Sequence, residues 1–218
     1  MTTLAVDISE WIQRLGSFIP ILVFLIIPII FNKLKKKTAP DIEEFNQHLQ
    51  GIGIKASIEG TDNDKCKIGL GGRFSAQKSE GLIEVRNRNI DSCNMVSASN
   101  QYGKEYYIDY LVKNPTMAGN KAALKTRLVR KKNSLLWGRT IDFEWKGNKL
   151  LAETLNSDYR IKERLLQGEF ESIKANIWIY PEPKYGYFRI RNSYFLPPYQ
   201  VFEAIDTIAK HLKSLNLY

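Results

Sequence analysis

From Leu15 to Phe31 the chain reads LGSFIPILVFLIIPIIF, with no charge and no polar side chain beyond Ser17. A helix of that length rises about 25 Å, slightly less than the roughly 30 Å hydrocarbon core of a bilayer. Ile12 and Leu34 extend it, and the lysines beyond can lift their charges to the headgroups along their methylene stems. Trp11 stands where an interfacial aromatic is expected. Pro20 and Pro28 would break a helix in water, but membrane-spanning helices tolerate them. The pattern predicts a transmembrane helix and flank over residues 15–34. A cleaved signal peptide fits less well. Asp7 and Glu10 occupy what should be a basic leader, and Phe31-Asn32-Lys33 offers no small-residue cleavage site.

Charge sets the orientation. Arg14 and the amino terminus lie on one side of the span, and Lys33, Lys35, Lys36 and Lys37 lie on the other. The positive-inside rule places the lysine side in the cytoplasm. The expected organisation is a short non-cytoplasmic tail (1–14), the span (15–34), a basic juxtamembrane linker (35–40) and a cytoplasmic domain (41–218). The lysines of the linker also suit anionic lipid, at about 1 kcal/mol each near the surface. Fixing topology is by itself a sufficient reason for them.

Beyond the linker the periodicity alternates between helix and strand. Asp41 caps a helix over 42–50, with Ile42, Phe45 and Leu49 on one side and Gly51 as its stop. Residues 54–59 read as a strand, and a second at 66–70 completes a hairpin across the loop TDNDK. Residues 81–86 form a third. The polar stretch 91–103 reads as loop, with a brief pairing segment at 95–98. Residues 104–113 are rich in tyrosine and β-branched residues and form a strand ended by Asn114-Pro115. Residues 124–131 alternate weakly and fit strand or helix. Residues 140–146 alternate strictly, with Ile141, Phe143 and Trp145 opposite Asp142, Glu144 and Lys146.

Residues 149–167 read as one helix whose apolar stripe contains Asp158, with Gly168 as its stop. Residues 173–180 and 185–191 form a hairpin around Pro181-Glu182-Pro183-Lys184. A final helix runs from 197 to 215 with Val201, Ile205, Ile208, Leu212 and Leu215 inward. The fold class expected is α+β: one N-terminal transmembrane helix, then a soluble domain with a largely antiparallel sheet packed by two long C-terminal helices.

Composition adds a basic bias. The formal net charge is +9, from 32 Lys and Arg and 23 Asp and Glu. Five of those bases and two of those acids precede residue 41, so the remainder carries +6. That favours anionic partners without choosing among them. Cys66 and Cys93 make no disulfide framework. The one Asn-x-Thr sequence, Asn114-Pro115-Thr116, is blocked by its proline as a glycosylation acceptor.

Between Asn114 and Ile141 there are seven bases and no acid: Lys121, Lys125, Arg127, Arg130, Lys131, Lys132 and Arg139, with Trp137 among them. Clustered cations with an aromatic suit a membrane-facing or nucleic-acid-facing patch, but a solvated face paired with acids elsewhere, such as Asp142 and Glu144, is the simpler explanation. In strand geometry Arg86 and Arg88 share a face, as do Lys125 and Arg127, and Tyr187, Arg189 and Arg191. Should those faces coincide, one side of the sheet is a basic platform. The candidate anion- or partner-binding residues are therefore Lys125, Arg127, Arg130, Lys131, Lys132, Arg189 and Arg191.

Other motifs fall short. Gly69-x-Gly71-Gly72 lacks the lysine and the helix of a phosphate loop. Asp62-x-Asp64 lacks the glycine and glutamate of a calcium loop. His48 and His211 sit on polar helix faces, and with the two cysteines match no zinc spacing, so no metal or cofactor is expected. Trp178, with Asn176 and Tyr180, lies opposite Ile177 and Ile179 and suits a partly exposed interface. Taken together, these features point to a membrane-tethered module for a protein partner or an anionic surface. The alternatives are a membrane-proximal enzyme acting on an anionic, phosphate-bearing substrate and, less favoured, a nucleic-acid binder. No GxxxG pattern marks a helix-dimer face, so the oligomeric state is unknown.

Overall fold

Eight strands build the domain: β1 (Lys55–Glu59), β2 (Gln77–Arg86), β3 (Ser92–Asn100), β4 (Gly103–Lys113), β5 (Thr126–Lys132), β6 (Thr140–Gly147), β7 (Ile177–Glu182) and β8 (Tyr187–Ser193). They join in one sheet of order β1-β2-β3-β4-β8-β7-β5-β6, and every pairing is antiparallel. Among the described residues four helices accompany it: α1 (Ile42–Gly51), α2 (Lys149–Ser157), α3 (Tyr159–Gln167) and α4 (Tyr199–Ser214). The structure is a computed structural model and describes residues 40–60, 64–70, 76–101, 103–114, 116, 124–132, 140–168 and 176–215, with backbone alone at 132, 140 and 141. The α+β class with an antiparallel sheet holds. Among these residues no helix is long and apolar enough to cross a membrane. The span expected at 15–34 and its flanks Trp11, Lys33, Lys35, Lys36 and Lys37 lie outside the described residues.

The helices cover one face of the sheet. Ile83, Cys93, Tyr110, Ile190 and Ile179 stand in one cross-strand row beneath them. α4 supplies Val201, Phe202, Ile205, Ile208 and Leu212 to this core, and α1 supplies Phe45 and Leu49. Two polar anchors fix α4. Asp206 accepts from the Asn89 and Ile90 backbone N–H groups at 2.7 and 3.1 Å, holding the β2–β3 turn to the helix. Asn114 donates to the Leu212 and Leu215 carbonyls at 2.7 and 3.0 Å, closing the helix C-terminus.

Three expectations need correction. Residues 66–70 are not a strand: Asp64–Lys67 is a short 3-10 turn, and β1 pairs directly with β2. Cys66 and Ile68 imitate strand alternation because both pack down on Leu82 and Leu111. Residues 91–103 are not mainly loop: Ser92–Asn100 is β3, in mid-sheet. Its polar side chains find partners within the protein, Asn94 with Ser79 and the Cys66 carbonyl, and Ser97 with Glu80. Residues 149–167 are two short helices rather than one long one, so the sheet is packed by one long C-terminal helix and two short ones.

The break falls at Asp158. Its backbone leaves the helical region, and its carboxylate caps α3 through the Arg160 N–H at 3.1 Å. The same carboxylate holds the Arg160 guanidinium at 2.7 and 2.8 Å and His211 of α4 at 2.9 Å. These hydrogen bonds, Arg160's first and then His211's, outweigh burial and hold the Asp158 carboxyl well below its ordinary value. A lowered folded pKa means this stabilisation is complete above the unfolded carboxylate value of about 3.9 and drains away as pH falls below it. Asp158→Ala is expected to cost about 2–3 kcal/mol at neutral pH. Thermal melts at several pH values check this, and the difference from the parent should shrink below about pH 4.

Candidate functional site

The face away from the helices is only partly covered. The turn at Asp64–Lys67 and Ile68 roof it over β2 and β4. Strand pairing lays one row across the whole face: Asn94, Asp109, Arg191, Trp178, Arg127 and Lys146. A neighbouring row carries Leu111, Arg189 and Tyr180.

At the centre of the face the charges are met internally. Asp109 is fully buried and grips Arg191 in a two-pronged pair at 2.6 and 2.7 Å. Burial opposes the Arg191 charge, but the hydrogen bonds and field of Asp109 raise its pKa above the ordinary arginine value. Arg189 lies 3.5 Å from Asp109 and donates to Glu182 at 2.8 and 3.0 Å. Tyr107 and Tyr180 stack on Arg191 and Arg189, with the guanidinium carbons 4.9 and 4.7 Å from the ring centres. Burial and then the Glu105 carboxylate push the Tyr107 phenol up to about 12. Gly69, at φ +74°, closes over this pair: a Cβ there would stand 2.2 Å from Arg189 Nε.

Arg189 and Arg191, candidates for binding, are thus 7% and 8% exposed and hold acids of their own chain. The acids Asp109 and Glu182 were missed from the sequence. Asp109 leaves one trace, as the acid interrupting the apolar run Tyr106-Tyr107-Ile108-Asp109-Tyr110-Leu111-Val112.

Towards β5 and β6 the face opens into a shallow groove of about 390 Å³ lined by Lys125, Arg127, Lys146, Trp178 and Tyr180, with Thr126, Gly147 and Ile179. Lys125 and Arg127 are exposed, and among the described residues neither has a carboxylate within ion-pair distance. Glu144 is shared between Lys131 and Lys146, at 3.3 and 3.5 Å. Hydrogen bonds and charge from those lysines, Lys131 first, keep the Glu144 carboxyl below its ordinary value despite burial. Trp178 and Tyr180 are half-buried, and Ile177 and Ile179 between them face the core.

Arg127, Lys131 and Arg191 therefore share the open face. Arg130, opposite Phe143, turns to the helix side. Lys132 ends β5 opposite Thr140, and its side chain is outside the described set, as are Lys121, Trp137 and Arg139. Arg86 stays on the open face beside Glu84, whereas Arg88 leaves it to pair with Glu203 on α4. The basic platform is real only at its β5–β6 end.

The histidines are tertiary ties rather than surface groups: His48 bonds the Pro197 carbonyl at 2.8 Å, and His211 bonds Asp158. Burial pushes the Cys93 thiol up, away from nucleophilic use. Among the described residues no group of three or more His, Cys, Asp and Glu side chains gathers around a common point for a metal ion. Compared with known proteins, the chain matches no family model, no curated protein and no solved structure.

The two halves of the face should respond differently to substitution. Asp109→Ala strands the buried Arg191 guanidinium, leaves Arg189 with Glu182 alone, and is expected to cost about 3–5 kcal/mol. Arg127→Ala touches only an exposed side chain and should stay within about 0.5 kcal/mol of the parent. Urea unfolding of both variants provides the comparison.

Proposed function

We propose that the chain is a single-pass membrane protein whose α+β domain faces the cytoplasm and binds an anionic partner in the groove between Lys125, Arg127, Trp178 and Tyr180. One observation carries the reading. Lys125 and Arg127 stand exposed without a carboxylate among the described residues, while Arg189 and Arg191, two strands along the same sheet, are locked onto acids. Uncompensated cations beside half-buried aromatic rings are what an anionic partner with some apolar surface requires. The uncharged run at 15–31 and the lysines after it support the anchor and its orientation.

An enzymatic reading has less support. The groove offers cations and rings but no carboxylate, histidine or thiol to move a proton.

The test is purification of the full-length chain from its native membrane in mild detergent, with mass measurement of what accompanies it. The expected result is a reproducible anionic species, retained at low salt, shed at high salt, and lost from the Lys125→Glu/Arg127→Glu variant. Identical co-purification by parent and variant would sink the groove as the binding site. Alkaline extraction should leave the chain in the membrane pellet; its release would sink the anchor.

A further inference from the structure

We infer that the anionic partner of the groove is the phospholipid headgroup surface of the bilayer itself, on which the domain docks through the open face of its sheet. This rests on the membrane-anchored reading above.

Charge distribution comes first. Across the four helices, acids and bases are equal in number. At the β5–β6–β7 end of the open face, Lys125, Arg127, Lys131 and Lys146 outnumber the two acids of β6, Glu144 and Asp142, of which Asp142 also pairs with Lys162 of α3, while Glu182 of β7 is taken by Arg189. The surplus is therefore one-sided, and an anionic plane attracts this face in preference to the helix layer. Trp178 and Tyr180 add the amphipathic rings that settle at headgroup level.

Reach comes second. A linker over residues 35–40 spans at most about 20 Å, so a domain tethered by it never leaves the headgroup region's vicinity. The effective concentration of lipid is then high enough for modest contacts to dock it. The shape agrees. α1, where the chain enters the domain, packs on β1 and β2, and the groove lies six strand spacings away, about 29 Å across the sheet. Contact at the groove requires the sheet to lie along the surface rather than stand on edge. Lys55, exposed on the same face at the β1 end beside the Arg86–Glu84 pair, then approaches the bilayer too. A shallow groove rimmed by exposed cations and half-buried rings accepts a headgroup plane, and the short tether favours that plane over a free peptide.

The test uses the full-length chain in nanodiscs with brominated acyl chains, of phosphatidylcholine alone or mixed with phosphatidylglycerol. Tryptophan quenching is read as the difference between the parent and Trp178→Phe, which cancels the other three tryptophans. The expected result is a Trp178 contribution in anionic discs that is absent in neutral ones and reversed by salt. Lys125→Gln and Arg127→Gln should each lower the docked-to-free ratio roughly fivefold. Thermal melting of each variant separates lost docking from lost folding, and a variant that melts early is replaced by Lys55→Gln, read the same way. Equal Trp178 quenching in both disc types, or none in either, overturns the inference. If an acidic protein then accompanies the parent but not the Lys125→Glu/Arg127→Glu chain, the lipid assignment has failed and the anionic groove stands.

Discussion

The buried carboxylate of Asp109 ties the open side of the sheet together. It sits in β4, mid-sheet, and neutralises Arg191 while standing 3.5 Å from Arg189, both from β8. Arg191 could not remain there without it, because an unpaired charge in a site less than one-tenth exposed is strongly unfavourable, whereas Arg189 also has Glu182. The tyrosine rings stacked on both arginines and the Gly69 turn lying over Arg189 follow from that pairing. Beside it, Cys66 and Ile68 pack on Leu82 and Leu111 of the neighbouring strands.

That neutralisation also divides the face. Where β4 and β8 meet, cations and acids cancel. Two strands further on, beyond β7, the cations of β5 and β6 outnumber the acids Asp142 and Glu144, and Lys125 and Arg127 are left without one among the described residues. The groove is the boundary between the two regimes, with Trp178 in the row between Arg191 and Arg127. A binding surface on this chain is therefore a property of strand order. Lys125 and Arg127 are available because β5 sits beside β7 rather than beside β4 and its aspartate.

The helix side answers to a different constraint. Asp158, Asp206 and Asn114 each spend a buried polar side chain on tying one element to another. Each satisfies backbone groups that a turn or helix end would otherwise leave unpaired. Together they hold α4 in place over β4 and β8, so the apolar stripe on α4 is matched to the sheet at both ends.

Sequence periodicity by itself determined the elements whose burial is one-sided. The strict alternation at 140–146 and the stripe of α4 show it, since one buried face leaves a regular trace in the residues, and the β-branched and aromatic run at 104–113 marked a strand buried on both faces. It also marked Lys125 and Arg127 as candidates, Trp178 as partly exposed, and Asp158 as out of place in an apolar stripe. It misread β3, whose polar side chains look like a loop until the partners on β2 and the turn at 64–67 are in place. It misread 66–70, where two apolar residues spaced like a strand pack without pairing. Only the tertiary structure decided which cations are spent and which are available. Arg189, Arg191, Lys125 and Arg127 carry the same charge in the same kind of strand, and what separates them is the distance to Asp109 and Glu182. That distance is set by strand order, which no local pattern encodes.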